Sequence, residues 1–270
     1  MANSFLSAPL PKKRMGQHFL NDPQIAQAIV DGSGVSPGDR VIEIGPGLGS
    51  LTQPLLKRVG KVWAIELDLE LVPLLLQRTA GLGELHVEQV DALRVNFQEL
   101  AHHLGGSLRI VANLPYNVST PLLLQFIKYR ESIEEMTLMF QTEVAERIAA
   151  APGTKAYGTL SVLCGLWMQS EIILTVPPSA FRPPPKVTSA VLRLLRRPTP
   201  LAEVQDPETF SHVVRAAFGQ RRKILSNALR IMHSSPLEWL QRAEIDPERR
   251  GETLSIAEFA RLANAVDFID

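Results

Sequence analysis

The 270-residue sequence predicts an α/β fold: a seven-stranded, mostly parallel sheet of Rossmann-like type with helices on both faces, followed by a small all-helical domain. Three observations predict it. An apolar strand runs straight into a glycine-rich bend at Arg40-Val-Ile-Glu-Ile-Gly-Pro-Gly-Leu-Gly-Ser50, short apolar runs then alternate with amphipathic segments to about residue 195, and beyond Arg197-Pro-Thr-Pro200 the strand signal stops.

The elements follow in order. Residues 1–15 read as a flexible basic arm that includes Lys12, Lys13 and Arg14. Asp22 and Pro23 supply a cap and a first turn for a helix to about Asp31, and Ser36-Pro-Gly-Asp39 is a turn into the first strand, Arg40 to Ile44. A helix over about Ser50–Arg58 precedes the strand Lys61–Asp68, and a helix over about Leu69–Thr79 precedes the strand Leu85–Asp91. Leu108–Ala112 is a fourth strand, Ser119-Thr-Pro121 opens a helix, Met136–Phe140 is a fifth strand, and Glu143–Ala149 is helical. Alternation of this kind implies right-handed crossovers and parallel pairing. A helix runs from Gly158 to about Met168, and Glu171–Val176 and Ser189–Leu195 form an antiparallel hairpin at one edge. Helical periodicity over about Pro207–Phe218, Arg221–Met232, Pro236–Ala243 and Ser255–Val266 completes the chain, giving domains at 16–200 and 203–270.

Composition excludes several classes. Apolar residues make up 45% of the chain, enough for a sizeable core. Its one cysteine, Cys164, lies in an apolar run, so neither a disulfide nor a cysteine-based zinc site is expected, and a reducing cytoplasm suits it. The N-terminus lacks the apolar core of a signal peptide, and runs such as Leu71–Leu76 are too short to span a bilayer. The expectation is a cytoplasmic protein with no membrane partner and no metal. Lys plus Arg equals Asp plus Glu, 28 each, so any nucleic-acid binding must come from local clusters.

Gly45, Gly47 and Gly49 let a ligand sit directly on main chain. The spacing departs from G-x-G-x-x-G, because the sixth position is Ser50, and Glu43 precedes the first glycine. That carboxylate repels a pyrophosphate and attracts a ligand carrying an ammonium and a sulfonium. The pattern Glu-x-Gly-x-Gly-x-Gly resembles the first motif of S-adenosylmethionine methyltransferases; a tight turn in some other α/β protein is the rival reading. Ligands of open α/β sheets lie beyond the carboxyl ends of the strands, where Glu66, Asp91 and Asn113 fall. Glu66 suits the ribose hydroxyls and Asp91 an adenine amine, although each alone also reads as a helix cap.

Asn113-Leu-Pro-Tyr116 is the most specific stretch. An adenine amine is a poor nucleophile because its lone pair is delocalised into the ring. The Asn113 side-chain oxygen and the Leu114 carbonyl could accept its two hydrogens and hold the nitrogen towards tetrahedral geometry. Pro115 fixes the backbone for that convergence, and Tyr116 offers a ring on which the base can stack. Catalysis is then positioning plus electrostatics. Phe181 lies in Pro177-Pro-Ser-Ala-Phe-Arg-Pro-Pro-Pro-Lys186, a stiff connector if read alone; between two edge strands its prolines hold Phe181 over the catalytic edge, opposite Tyr116. The run Gln220-Arg-Arg-Lys-Ile-Leu-Ser-Asn227 opens a helix whose Arg221, Arg222 and Lys223, with Arg215 upstream, form either a solvated helix end or a phosphate clamp that Lys12, Lys13 and Arg14 extend.

Gln17-His-Phe-Leu20, Glu43-Ile-Gly-Pro-Gly-Leu-Gly49, Ile65-Glu-Leu-Asp68, Asn113-Leu-Pro-Tyr-Asn-Val-Ser-Thr120, Phe181-Arg-Pro-Pro-Pro-Lys-Val187 and Phe218-Gly-Gln-Arg-Arg-Lys223 together resemble the KsgA family of ribosomal RNA small subunit methyltransferase A enzymes. The resemblance runs from about residue 12 to near the C-terminus. It implies a class I methyltransferase fold, S-adenosylmethionine as cofactor, and dimethylation of two adjacent adenosines in a hairpin near the 3′ end of small-subunit rRNA, on an immature 30S-type subunit. It implies that His18, Leu20, Gly45, Glu66, Asp91 and Asn113 contact the cofactor or frame its pocket, alongside Glu43 and Gly47 of the glycine motif. Many relatives have asparagine where this chain has His18, which would make that contact pH-dependent. A monomer is expected. The rivals are methylation of another RNA, such as large-subunit rRNA, and a ribosome-assembly factor with little catalysis; the small helical appendage disfavours sequence-specific duplex DNA readout.

Overall fold

In the computed structural model, which describes residue 12 and residues 16–220 and 222–266, a two-residue strand β1 (Phe19–Leu20) precedes helix α1 (Pro23–Gly32). The Asp22 carboxylate caps α1 by accepting from the Gln24 and Ile25 amides at 2.9 and 3.2 Å, and Pro23 occupies the first turn. Three βα units follow: β2 (Arg40–Ile44) with α2 (Thr52–Val59), β3 (Lys61–Glu66) with α3 (Val72–Thr79), and β4 (Glu84–Gln89) with α4 (Phe97–Leu104). After them come β5 (Leu108–Asn113), α5 (Ser119–Lys128), β6 (Ile133–Gln141), α6 (Thr142–Ala149), α7 (Thr159–Gly165), β7 (Met168–Val176), β8 (Phe181–Arg182) and β9 (Ser189–Arg196). Helices α8 (Pro207–Gly219), α9 (Leu225–Ala228), α10 (Pro236–Arg242) and α11 (Ile256–Asn264) end the described chain.

The sheet has seven strands in the order β4-β3-β2-β5-β6-β9-β7. β2 is parallel to both β3 and β5, β3 to β4, and β5 to β6, while β9 runs antiparallel to β6. Val41, Ile42 and Ile44 of β2 are each at most 3% exposed, as expected of a parallel strand covered on both faces. The chain leaves β2 in one direction towards β3 and β4 and returns to its other side at β5. The crevice between β2 and β5 is therefore the topological switch point, the place where such sheets bind ligands.

The structure adds two elements to those expected. α4 is a full helix, capped by Asn96 and ended by Gly105 at φ 77°, that buries Phe97, Leu100 and Ala101. β1 and β8 form a separate two-stranded antiparallel sheet, with Leu20 opposite Phe181 and Phe19 opposite Arg182. Two residues per strand carry no readable periodicity. One expected helix is corrected: it starts later than Arg221, since the Lys223 amide donates to the Gln220 carbonyl at 2.8 Å and α9 begins only at Leu225. The basic run has no apolar stripe to bury before Ile224 and Leu225, so Arg222 and Lys223 stand exposed on a loop.

Two compact units divide the chain, one running to Ala145 and resuming over Glu171–Arg196, the other made of Glu146–Ser170 and the chain from Arg197 onward. This differs from the expected boundaries at 16–200 and 203–270, because residues 146–170 belong with the C-terminal helices. The Tyr157 hydroxyl donates to the Leu254 carbonyl at 2.9 Å, and its ring meets Phe218 edge-on at 5.9 Å. Among the described residues no helix is long and apolar enough to cross a membrane.

Candidate active site

A cavity of about 220 Å³ opens at the switch point, walled by the segment Gly16–Leu20, by Glu43 and the glycine bend, by Glu66, Leu67 and Leu71 on the β3 side, and by residues 113–118 after β5. The bend turns because Gly45, Gly47 and Gly49 all take left-handed φ values, 64°, 55° and 85°. A Cβ on Gly47 would sit 3.2 Å from the Phe19 ring, whereas one on Gly45 would meet nothing within 4 Å. Bare main chain at Gly45 thus faces open space.

Glu66, 6% exposed, is held on both oxygens: Oε2 accepts from the Gly47 amide at 3.1 Å and Oε1 from the Asp68 amide at 2.8 Å. Burial pushes its carboxyl above the ordinary range, and these amides pull the other way. Glu43 differs. It is 1% exposed, its Oε2 has no hydrogen-bond partner, and burial pushes its carboxyl up to about 8. An unsatisfied buried carboxyl oxygen in the wall of a cavity, beside a cradle of bare glycine, fits a ligand that brings positive charge. Among the described residues no group of three or more His, Cys, Asp or Glu is arranged to hold a metal ion.

At the end of β5 the Asn113 Nδ2 donates to the His18 carbonyl at 3.1 Å. A carbonyl only accepts, so that bond fixes which end of the amide is nitrogen and leaves Oδ1 as the acceptor. Leu114, Pro115 and Tyr116 continue the wall. The Tyr116 hydroxyl shares a 2.5 Å hydrogen bond with Ser189, which is fully buried, and burial raises its pKa against that bond. The His18 ring is stacked on Tyr116, 5.6 Å between centroids at 28°, and its Nδ1 is 2.8 Å from the Pro183 carbonyl. Nδ1 must be the donor there, so only Nε2 remains to meet a ligand.

The N-terminal segment crosses the site as a strap. Gln17 Nε2 donates to Asp68 Oδ2 at 3.1 Å, Ser50 Oγ donates to the Leu20 carbonyl at 2.5 Å, and the Asn21 amide donates to the Ala180 carbonyl at 2.8 Å. Asp68 is 4% exposed; burial raises its pKa, but the bonds from Lys12 and Gln17 outweigh it and hold the carboxyl below the ordinary range.

Of the residues expected at the site, His18, Leu20, Glu43, Gly45, Gly47, Glu66, Asn113, Leu114, Pro115 and Tyr116 all line the cavity. Asp91 does not. It follows the edge strand β4, with β3 between it and β2, and its Oδ1 caps the next turn by accepting from the Leu93 amide at 3.0 Å. Phe181 is also corrected: its ring is 2% exposed and packs in the core with Leu20, Ile29 and Val176, so it offers no face to a base. Lys12 is taken up in ion pairs with Asp68 at 2.8 Å and Glu70 at 3.0 Å and is not part of an open basic track. Lys13, Arg14 and Arg221 lie outside the described residues. The sequence reading missed Phe19, Leu67, Leu71 and Asn117 as walls and Asp68 as an anchor. The apolar residues directly after Glu66 were the available signal for Leu67 and Leu71, since a nucleoside needs an apolar surface as well as a carboxylate.

The profile of the family described as "Ribosomal RNA adenine dimethylase" matches residues 10–267. A protein of Magnetococcus marinus named "Ribosomal RNA small subunit methyltransferase A" is 51% identical over 254 residues, 94% of this chain and 91% of that protein. One of the same name from Caldanaerobacter subterraneus is 44% identical over 260 residues, 94% of this chain and 97% of that protein. Among solved structures, a dimethyladenosine transferase from Plasmodium falciparum superposes with a TM-score of 0.73 at 25% identity, covering 91% of this chain and 96% of that one. The 23S rRNA methyltransferase ErmE gives 0.67 at 25% identity, covering 92% and 98%.

Proposed function

The chain belongs to the ribosomal RNA adenine dimethylase family, and from that premise we propose that it transfers methyl groups from S-adenosylmethionine to the exocyclic amines of two adjacent adenosines in the 3′-terminal hairpin of small-subunit rRNA. The observation that carries the chemistry is the fixed amide of Asn113, in one cavity with Glu43, Glu66 and the glycine bend. Bound S-adenosylmethionine would supply an electrophilic methyl group on a sulfonium. Glu66 would accept from the ribose hydroxyls, the bare main chain at Gly45 would take the closest approach, and Glu43 would face the cationic end. Asn113 Oδ1 and the Leu114 carbonyl accept the two amine hydrogens, which draws the lone pair out of conjugation and aims it along one axis. Tyr116 stacks on the base, with its ring oriented by the bond to Ser189. No side chain needs to form a covalent intermediate, so rate comes from position and from acceptors set in advance.

The exposed Arg222 and Lys223 suit phosphate contacts, and the sequence offers Arg221, Lys13 and Arg14 as further candidates. An rRNA partner within an immature small subunit, a monomeric protein and a reducing cytoplasm belong to the same reading, and the buried free thiol of Cys164 suits such a compartment. Incubation with labelled S-adenosylmethionine and immature small subunits, followed by nucleoside analysis, tests it. Label in dimethyladenosine is expected. Label found instead in large-subunit rRNA, or no transfer by folded protein that binds the cofactor, would overturn the assignment.

A further inference from the structure

We propose that Glu43 is a proton-linked sensor of sulfonium charge: its carboxyl is neutral in the ligand-free cavity and gives its proton to solvent when the methyl donor binds, so the site discriminates the donor from its thioether product. The proposal rests on the S-adenosylmethionine reading of the cavity.

Little around this carboxyl compensates a negative charge. Glu43 is 1% exposed and its Oε2 bonds to nothing. On β3 its register partner is Ala64 and on β5 it is Val111, neither of them ionisable. Thr52 of α2, fully buried, is close enough to favour the charged form, but its hydroxyl makes no bond that meets hydrogen-bond geometry. Charged and titratable groups that face the same cavity are Glu66 on β3, His18 beside β1 and Tyr116 after β5, whose hydroxyl is taken up by Ser189; among the described residues no Lys or Arg lines it. Glu66 carries two amide bonds and so holds its negative charge more readily, and that charge repels a second one on Glu43. A carboxylate buried without a cation or donors takes up a proton, and burial, the largest cause, pushes Glu43 to about 8.

The methyl donor carries an ammonium, a carboxylate and a sulfonium, one net positive charge; its product keeps only the first two and is neutral overall. A sulfonium beside Glu43 supplies the missing counter-charge, so the carboxyl O–H bond breaks, the electron pair stays on oxygen and the proton leaves to solvent. The product offers less compensation and retains more of the proton on Glu43. Transfer of the methyl group thereby weakens the grip on what remains.

Calorimetric titration of the full chain with S-adenosylmethionine and with S-adenosylhomocysteine, in phosphate and in Tris, counts the protons released from the dependence of heat on buffer ionisation enthalpy. For a group that titrates at about 8, donor binding releases about 0.9 proton at pH 7 and about 0.1 at pH 9, and donor affinity rises close to tenfold per pH unit below about 7. The product releases a smaller fraction, and Glu43→Gln abolishes the release for either ligand at whatever affinity it retains. Donor binding without proton release, equal release for donor and product, or release that persists in Glu43→Gln overturns the proposal. If Glu43→Gln fails to fold, the wild-type pH series decides alone. Failure of the wild-type protein to bind the donor at all overturns the cofactor reading and the proposal with it.

Discussion

Phe181→Ala separates a stacking ring from a structural one. The sequence expectation had this ring over the target base, where truncation weakens RNA capture and leaves the fold intact. The structure buries it to 2% exposure against Leu20, Ile29, Val176 and Val191, each at most 3% exposed. Removing a fully buried Phe ring costs about 3–5 kcal/mol, from lost transfer energy and the cavity left behind. That is a large share of the roughly 5–15 kcal/mol that stabilises a typical domain, and corresponds to a drop of roughly 6–20 °C in Tm. Because Leu20 is the register partner of Phe181, the strap loosens too, and cofactor affinity falls along with stability. Thermal and urea unfolding of the full chain read the first effect, and cofactor titration below the transition reads the second. An unchanged Tm combined with impaired capture of the target adenosine would refute the reasoning, because it would mean that the ring meets RNA.

Asn113→Ala is expected to keep the fold and cofactor binding while single-turnover transfer falls by roughly 10²–10³-fold, the usual cost of removing one preorganised hydrogen-bonding group; near-normal turnover at saturating cofactor would remove Asn113 from the reaction. Changing Arg222 and Lys223 together to Ala is expected to make the salt dependence of RNA binding shallower by about 1.4–1.8 in the log–log slope, from two lost phosphate contacts. An unaltered slope would take both residues out of the interface.

Most of the fold was legible because β2, β3 and β5 are largely apolar runs, buried at Val41, Ile42 and Ile44, at Val62, Ala64 and Ile65, and at Ile110, Val111 and Ala112, so they can be found with little ambiguity. The site followed from topology: groups at the carboxyl ends of strands beside the switch point converge whatever their separation in sequence. Asp91 follows the edge strand β4, two strands from β2, and is not among the residues that line this cavity. Phe181 misled for another reason. Prolines announce a rigid segment but not which way its side chains face, and here β8 turns the ring inward against α1 and β1. β1 itself could not be read at all, since its pairing depends on a partner more than a hundred and fifty residues away.

The two residues that lead into that strand, Gln17 and His18, join the two halves of the site. The Gly47 amide bonds Glu66 Oε2, Glu66 Oε1 accepts from the Asp68 amide, Asp68 Oδ2 accepts from Gln17, and the carbonyl of the next residue, His18, accepts from Asn113. One chain of hydrogen bonds therefore runs from the glycine bend that receives the donor to the amide that receives the acceptor. The arrangement matters because Asn113 contributes no proton and no covalent bond; it contributes a dipole, and a dipole catalyses only when its direction is fixed beforehand. An amide can rotate half a turn with almost no change in shape. With its nitrogen inward it would present two hydrogens to an amine that already carries two. The His18 carbonyl, held in position by the strap, thus decides whether Asn113 attracts the substrate amine or opposes it.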